Sequence, residues 1–337
     1  MYRFTYILFS DFFSPYIEFF LKEWGVFMKR YLLQRLGYMI ITLFIIVTLT
    51  FFLMKLLPGT PFNNPEKLSD KQIEVLNEKY GLDKPVVLQY IHYLGNLVTG
   101  DFGLSFQYEG RTVNSMIVDR IGPSGLIGFQ AMVFGIVFGL LLGILSALKH
   151  NSIYDYGSVT LAVLGMSIPS FVFAALLQYF IGVKLGWLPP ALWESYKYTL
   201  LPSFALSVSV TATVARFIRT EMLEVLGHDY VITARAKGIT ESGVVIKHVL
   251  RNALIPVVTM LGPLAVGIMT GTLVIEKIFA VPGLGEQFTL SILVNDYSVI
   301  MGITVFYSAL FIFVVFIVDL LYGLLDPRIN FKRGAEI

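Results

Sequence analysis

Long apolar stretches alternate with short polar ones along most of this chain. Six of them reach the length needed to cross a bilayer, about 20 predominantly apolar residues. They predict spanning helices at about Leu36–Leu57, Gly122–Leu148, Tyr156–Val183, Leu200–Ile218, Leu254–Ile275 and Val299–Leu325. The pattern is that of an all-α polytopic membrane protein with six transmembrane helices. Between the first two spans the pattern changes. Glu66, Asp70, Lys71, Glu74, Glu78 and Lys79 recur at helical spacing, and Gly81 and Pro85 follow as a stop. A more apolar stretch, Val86–Val98, comes next. This predicts a small two-helix insertion, which is either a spacer or a docking or gating surface.

The expected organisation is an N-terminal extension over 1–28, a first span over 29–57 and an external helical segment over 58–113. A core of five spans over 114–323 contains an inner loop at 219–253, and a tail covers 324–337. Residues 1–27 are rich in Phe and Tyr but interrupted by Asp11, Pro15 and Glu18, so they are not expected to span. Met28-Lys29-Arg30 reads as a natural start. The extension is then either an upstream start or an interfacial helix.

Composition agrees with a bilayer as solvent. Of 337 residues 56% are hydrophobic and 14% are charged, which is too little polarity to cover a soluble domain of this size. The net charge of +2 gives no nucleic-acid footprint. The absence of cysteine removes disulfides, thiolate metal sites and cysteine nucleophiles. Four scattered histidines predict no metal cluster.

Short basic loops set the expected orientation. Lys29, Arg30 and Arg35 precede the first span, and Arg328, Lys332 and Arg333 follow the last, which places both termini in the cytoplasm. Arg219, Arg235, Lys237, Lys247 and Arg251 put the loop after span four on the same side.

The candidate chemistry is mostly a matter of what is missing. No Gly-Lys pair occurs, so the chain carries no P-loop phosphate cradle. The middles of all six spans lack ionisable residues, whereas ion-coupled carriers place one near the midplane. Gly135, Gly139 and Gly143 recur every four residues in span two and permit close helix approach. Pro169 in span three and Pro256 and Pro263 in span five free backbone carbonyls. These prolines are either gate elements or plain bends.

The inner loop is the most informative stretch. Glu221–Lys237 reads as one helix stopped by Gly238, and Thr240 can cap a second. In that second helix Val245 and Val249 share a face, as do Lys247 and Arg251. Two short helices joined at a glycine form an amphipathic knuckle, which either enters a groove on a soluble partner or rests on headgroups.

Residues Asp229–Pro256 contain Asp-Tyr-Val-Ile-Thr-Ala-Arg-Ala-Lys-Gly and then His-Val-Leu-Arg-Asn-Ala-Leu-Ile-Pro. This stretch resembles the cytoplasmic coupling loop of ABC importer permeases, in particular the B-type permease of oligopeptide and dipeptide systems. Tyr80–Pro85, Asp101-Phe102-Gly103, Glu276–Phe279 with Pro282–Gly285, and Asp326-Pro327-Arg328 are similar to that family too. The likeness runs from about Met28 to Phe331. It departs from the general importer pattern at Ile232-Thr233-Ala234, where that pattern has Glu-Ala-Ala, and at Arg251, where it has proline. The acidic residue's role is therefore not carried to Ile232.

The resemblance implies a type I ABC importer permease fold and no cofactor in this chain, with ATP and Mg used by partner ATPases. It also implies a second homologous permease, two cytoplasmic ATPases, an extracellular peptide-binding lipoprotein and a peptide substrate. Asp229, Tyr230, Thr233, Ala234, Arg235, Ala236, Lys237, Gly238 and Arg251 would form the ATPase-coupling loop. The alternatives are a permease for nickel or another small solute of the same family, an ATP-independent secondary transporter, and a membrane scaffold.

Overall fold

The computed structural model describes residues 26–56 and 69–325. The expected roles of residues 1–25, of 58–68 with Glu66, and of the tail from Asp326 with Arg328, Lys332 and Arg333 lie outside the described residues.

Among the described residues the chain is helical. Helix α1 (Val26–Leu56) is followed by the insertion helices α2 (Asp70–Tyr80) and α3 (Val86–Val98). Then come α4 (Val113–Leu148), α5 (Ile153–Ser167), α6 (Ser170–Leu177) and α7 (Lys197–Leu226). Two short helices, α8 (Asp229–Ala236) and α9 (Glu241–Val244), lead into α10 (Arg251–Phe279). The chain continues through α11 (Leu284–Leu293) and α12 (Tyr297–Leu325). Wider π turns extend α6 over Gln178–Lys184 and α9 over Val245–Leu250. Helices α1, α4, α7 and α12, and the continuous run from α9 into α10 (Glu241–Ala265), are long and apolar enough to cross a membrane.

The span expected at Tyr156–Val183 is not one helix. It breaks at Ile168-Pro169, where α5 and α6 meet at 104°. Ile168 is extended (φ −85°, ψ 121°), the conformation that proline imposes on the residue before it. The broken pair still traverses the bundle. At its start Asp155 binds Arg219 near the end of α7. At its end Gln178 donates to the Ile278 carbonyl at the far end of α10 (2.9 Å). Pro256 and Pro263 differ from Pro169, because α10 runs continuously through both.

The densest packing joins α4 to α7. A Cβ on Gly135 would lie 2.5 Å from Val210 Cβ, one on Gly139 2.7 Å from Val214 Cβ, and one on Gly143 2.1 Å from Ile218 Cγ2. The three glycines bring the two backbones to a separation that no larger residue fits. The Ser203 hydroxyl crosses the same interface to Gln130 Oε1 (2.8 Å). Between helices in lipid such a bond gives the hydroxyl a partner where no water is available.

In the insertion, Ser69 and Gln72 form a capping box on α2, and Gly81 (φ 65°) ends it in the left-handed conformation. Helix α3 then lies along the last turns of α1. Tyr90 and Tyr93 pack on Phe51, and the Tyr90 hydroxyl meets Thr48 Oγ1 (2.6 Å). Burial pushes the Tyr93 phenol above its ordinary range.

Candidate functional site

The knuckle after α7 is built from its turns upward. The expected helix Glu221–Lys237 is in fact two helices, because α7 stops at Leu226 and α8 begins at Asp229. Gly227 lies in the gap, and glycine weakens a helix interior by about 1 kcal/mol relative to alanine. His228 is extended there and stacks on Tyr230 (5.5 Å between ring centroids). Gly238 (φ 77°) turns the chain after α8, and Thr240 Oγ1 accepts from Gly243 N (3.3 Å) to start α9. No atom lies within 4 Å of where a Gly238 Cβ would stand, so backbone conformation alone calls for glycine at that position.

The inner face of the knuckle is aliphatic. Val231, Ala234, Val244, Val249 and Ala253 are buried, and they continue the cluster that fills the bundle between α4 and α7. The outer face is mixed. Ile232 and Ile246 are more than half exposed, Tyr230 and Ile239 are partly so, and Lys237, Lys247 and Arg251 stand among them. Thr233 and Ala236 are also exposed. Arg235 pairs with Glu241 across the turn (3.1 Å and 3.3 Å) rather than pointing away from it. Asn252 Nδ2 donates to the Tyr230 hydroxyl (2.9 Å) and ties α8 to the first turn of α10. Thr233 Oγ1 donates to the carbonyl of Asp229 (2.9 Å). The structure thus gathers Asp229–Gly238 and Arg251 on one feature. Gly135, Gly139, Gly143, Pro169, Pro256 and Pro263 lie elsewhere, in the bundle.

Two buried carboxylates carry weight that the sequence did not disclose. Asp155 is 1% exposed. It accepts from Ser146 Oγ (2.5 Å), Asn151 N (2.9 Å), and Arg219 Nε and Nη2 (2.7 and 3.0 Å), with His150 Nδ1 at 3.0 Å. It clamps the α4–α5 turn to α7 two turns before the knuckle. At the opposite end Glu276 is fully buried. It accepts from Ser124 Oγ (2.7 Å) and from Glu286 N (3.0 Å). Gly283 and Gly285 are glycine because a Cβ on either would come within 3 Å of Glu276 Oε2. That explains the spacing of Glu276 and Pro282-Gly283-Leu284-Gly285, which the sequence displays without its reason.

Six spans, one of them broken, surround a glycine-packed centre and end in an aliphatic-backed knuckle. This is the architecture of ABC importer membrane subunits. A methionine ABC transporter, MetNI, solved in inward-facing conformations, shares the fold with a TM-score of 0.54 at 19% identity, over 63% of this chain and 96% of that one. An amino acid ABC transporter structure matches with a TM-score of 0.50 at 15% identity, over 62% of this chain and 94% of that one. Residues 139–331 match the family described as binding-protein-dependent transport system inner membrane component, and residues 28–123 match the N-terminal region described for the same systems. The dipeptide transport system permease protein DppB of Lactococcus lactis is 46% identical over 303 residues, 90% of this chain and all of its own. DppB of Bacillus subtilis is 46% identical over 308 residues, 91% of this chain and all of its own. The oligopeptide transport system permease protein OppB of Haemophilus influenzae is 40% identical over 306 residues, 90% of this chain and all of its own. The chain belongs to the binding-protein-dependent transport system inner membrane component family.

Proposed function

We propose that this chain is one of two permease subunits of an ATP-driven importer for dipeptides or short oligopeptides, and that the knuckle couples it to a cytoplasmic ATPase. The knuckle carries the reading. Its inner face is fused to the bundle core, while its outer face offers Ile232, Ile239 and Ile246 between cations. A rigid helix pair of that kind transmits a push on its outer face to α7 and α10 without deforming. The chain supplies no nucleotide cradle, so ATP and Mg are used by the partners. An extracellular binding protein delivers the peptide, and both termini face the cytoplasm. The peptide class is supported by relatives named as dipeptide and oligopeptide permeases, matched over their full length.

The test is reconstitution in vesicles with the partner permease, the ATPases and the binding protein. Uptake of a labelled dipeptide should require ATP inside and should fail when any partner is omitted. Uptake of nickel but no peptide would replace the substrate reading. Uptake driven by a proton gradient without ATP would overturn the mechanism.

A further inference from the structure

A groove of about 290 Å³ opens between α4, α5 and α7, close to the Asp155 clamp. Its walls are apolar and include Val159, Ala162, Val163 and Met166. Its polar end is different. Arg219 is spent on Asp155. Arg216 also lines the groove, is exposed, and has no side-chain hydrogen bond or ion pair among the described residues. Ser158 lines it as well, is 6% exposed, and its hydroxyl has no partner among the described residues. The hydroxyl of a largely buried serine and an unpaired guanidinium therefore line one apolar groove, and among the described residues no side chain binds either.

We propose that the groove holds one anionic phospholipid from the leaflet on the knuckle side. The guanidinium of Arg216 takes the phosphate, the hydroxyl of Ser158 donates to an acyl ester carbonyl, and the chain runs along Val159, Val163 and Met166. The order of groups fits the ligand. Helix α5 enters the bundle at Asp155 and proceeds toward Met166, so the polar groups come first and the apolar walls follow. Basic pockets between spanning helices on the cytoplasmic side are suited to anionic headgroups, at about 1 kcal/mol per cation near the membrane surface. A soluble anion would answer Arg216 but leave the apolar walls empty. A zwitterionic lipid would fill the walls but bring an ammonium group near Arg216. The lipid would stand against α7 three turns before the knuckle, where it stiffens the helix that leads into it. The site is independent of which solute the protein carries.

The experiment uses the full chain co-purified with its partner subunits in mild detergent. Phosphatidylglycerol or phosphatidylcholine is added, and retained lipid is counted by native mass spectrometry. One phosphatidylglycerol should persist at activation energies that strip phosphatidylcholine. Arg216→Gln should weaken its retention roughly fivefold, as expected for one cation at the membrane surface, and Arg216→Lys should restore most of it. Val163→Trp, at a half-exposed position that tolerates bulk, should displace the lipid while keeping the charge. Equal retention of both lipids, or unchanged phosphatidylglycerol in Arg216→Gln or in Val163→Trp, would overturn the proposal. So would an assembly that retains no lipid because a helix of the partner permease fills the groove.

Discussion

Two loops at opposite ends of the bundle do the same topological job with opposite chemistry. The α10–α11 loop and its continuation to α12 are held from within by buried carboxylates. Glu276 gathers donors from α4 and α11, and Asp296 accepts from Ser105 Oγ and from Phe106 N (3.1 Å). The knuckle between α7 and α10 has no buried polar side chain between Asp229 and Leu250 among the described residues. Aliphatic side chains hold it, and its charged side chains are exposed. Polar ties fix one geometry, because each donor has a single acceptor that satisfies it and a stranded one is costly. Aliphatic backing fixes position while leaving the outer face free for a partner. The carboxylate-tied loop is fixed by polar ties, and the aliphatic knuckle keeps an exposed outer face.

The comparison breaks first at Glu276. Glu276→Ala leaves the Ser124 hydroxyl and the Glu286 N–H without their acceptor in a largely buried site, at roughly 1–3 kcal/mol for each donor. Loss of protein from the membrane, or a sharply lower melting temperature of the purified chain, is the expected outcome. Glu276→Gln keeps one acceptor oxygen and should fall between. Full abundance and unchanged melting for Glu276→Ala would mean that the loop is not held from within.

Asp155→Asn comes next. It leaves Arg219 half-paired beside a neutral amide, and breaking a buried pair costs about 3–5 kcal/mol. The lower end applies because Arg219 is itself 24% exposed. The same melting assay reads it. Because the clamp lies in the bundle, ATPase binding by the surviving protein should be near normal. Selective loss of ATPase binding would move Asp155 from the bundle's account to the knuckle's.

How much of this could be read along the chain depends on the range of the interaction. The continuous spans, the two insertion helices, the turns at Gly81 and Gly238 and the cap at Thr240 follow from neighbours a few residues apart, so they were legible. The fate of the prolines was not. Ile168-Pro169 and Ile255-Pro256 are the same dipeptide, yet the first breaks its helix and the second does not. Ala253 and Val257 are buried on either side of Pro256, whereas Met166 and Phe171, which flank Pro169, are nearly half exposed. Packing holds one helix in line and leaves the other free to bend. The carboxylates were invisible for a related reason. Asp155 lies 64 residues from Arg219, and Glu276 lies 152 from Ser124. In the sequence each looks like a charge at the edge of a span.

A smaller effect on stability, with a larger one on function, is expected at Gly238. Valine there must adopt a left-handed backbone at about 1–2 kcal/mol or open the angle between α8 and α9. The bundle is untouched, so abundance should be near normal. ATPase recruitment or ATP-dependent uptake in vesicles should fall. Normal values of both would mean that the turn is not part of the coupling surface.

The smallest stability change separates two cations on the same turn. Arg235 is paired with Glu241, and both remain well exposed, so the pair contributes about 0.2–1 kcal/mol. Lys237 is exposed and has no ion pair among the described residues. If the outer face meets acidic groups on an ATPase, the unpaired cation carries more of that attraction, because Arg235 is already partly neutralised. Lys237→Glu should therefore weaken ATPase binding more than Arg235→Glu, with melting nearly unchanged for Lys237→Glu. Exchanging the pair, Arg235→Glu with Glu241→Arg, should recover the small stability loss of the single change. Binding measured against salt adds a further check, since an exposed charge contact is screened within about 8–10 Å at physiological ionic strength. The difference between Lys237→Glu and the wild type should shrink as salt rises. If Arg235→Glu is the more damaging change and the exchanged pair restores ATPase binding, the ion pair shapes the knuckle, and its outer face is recognised by form rather than by charge.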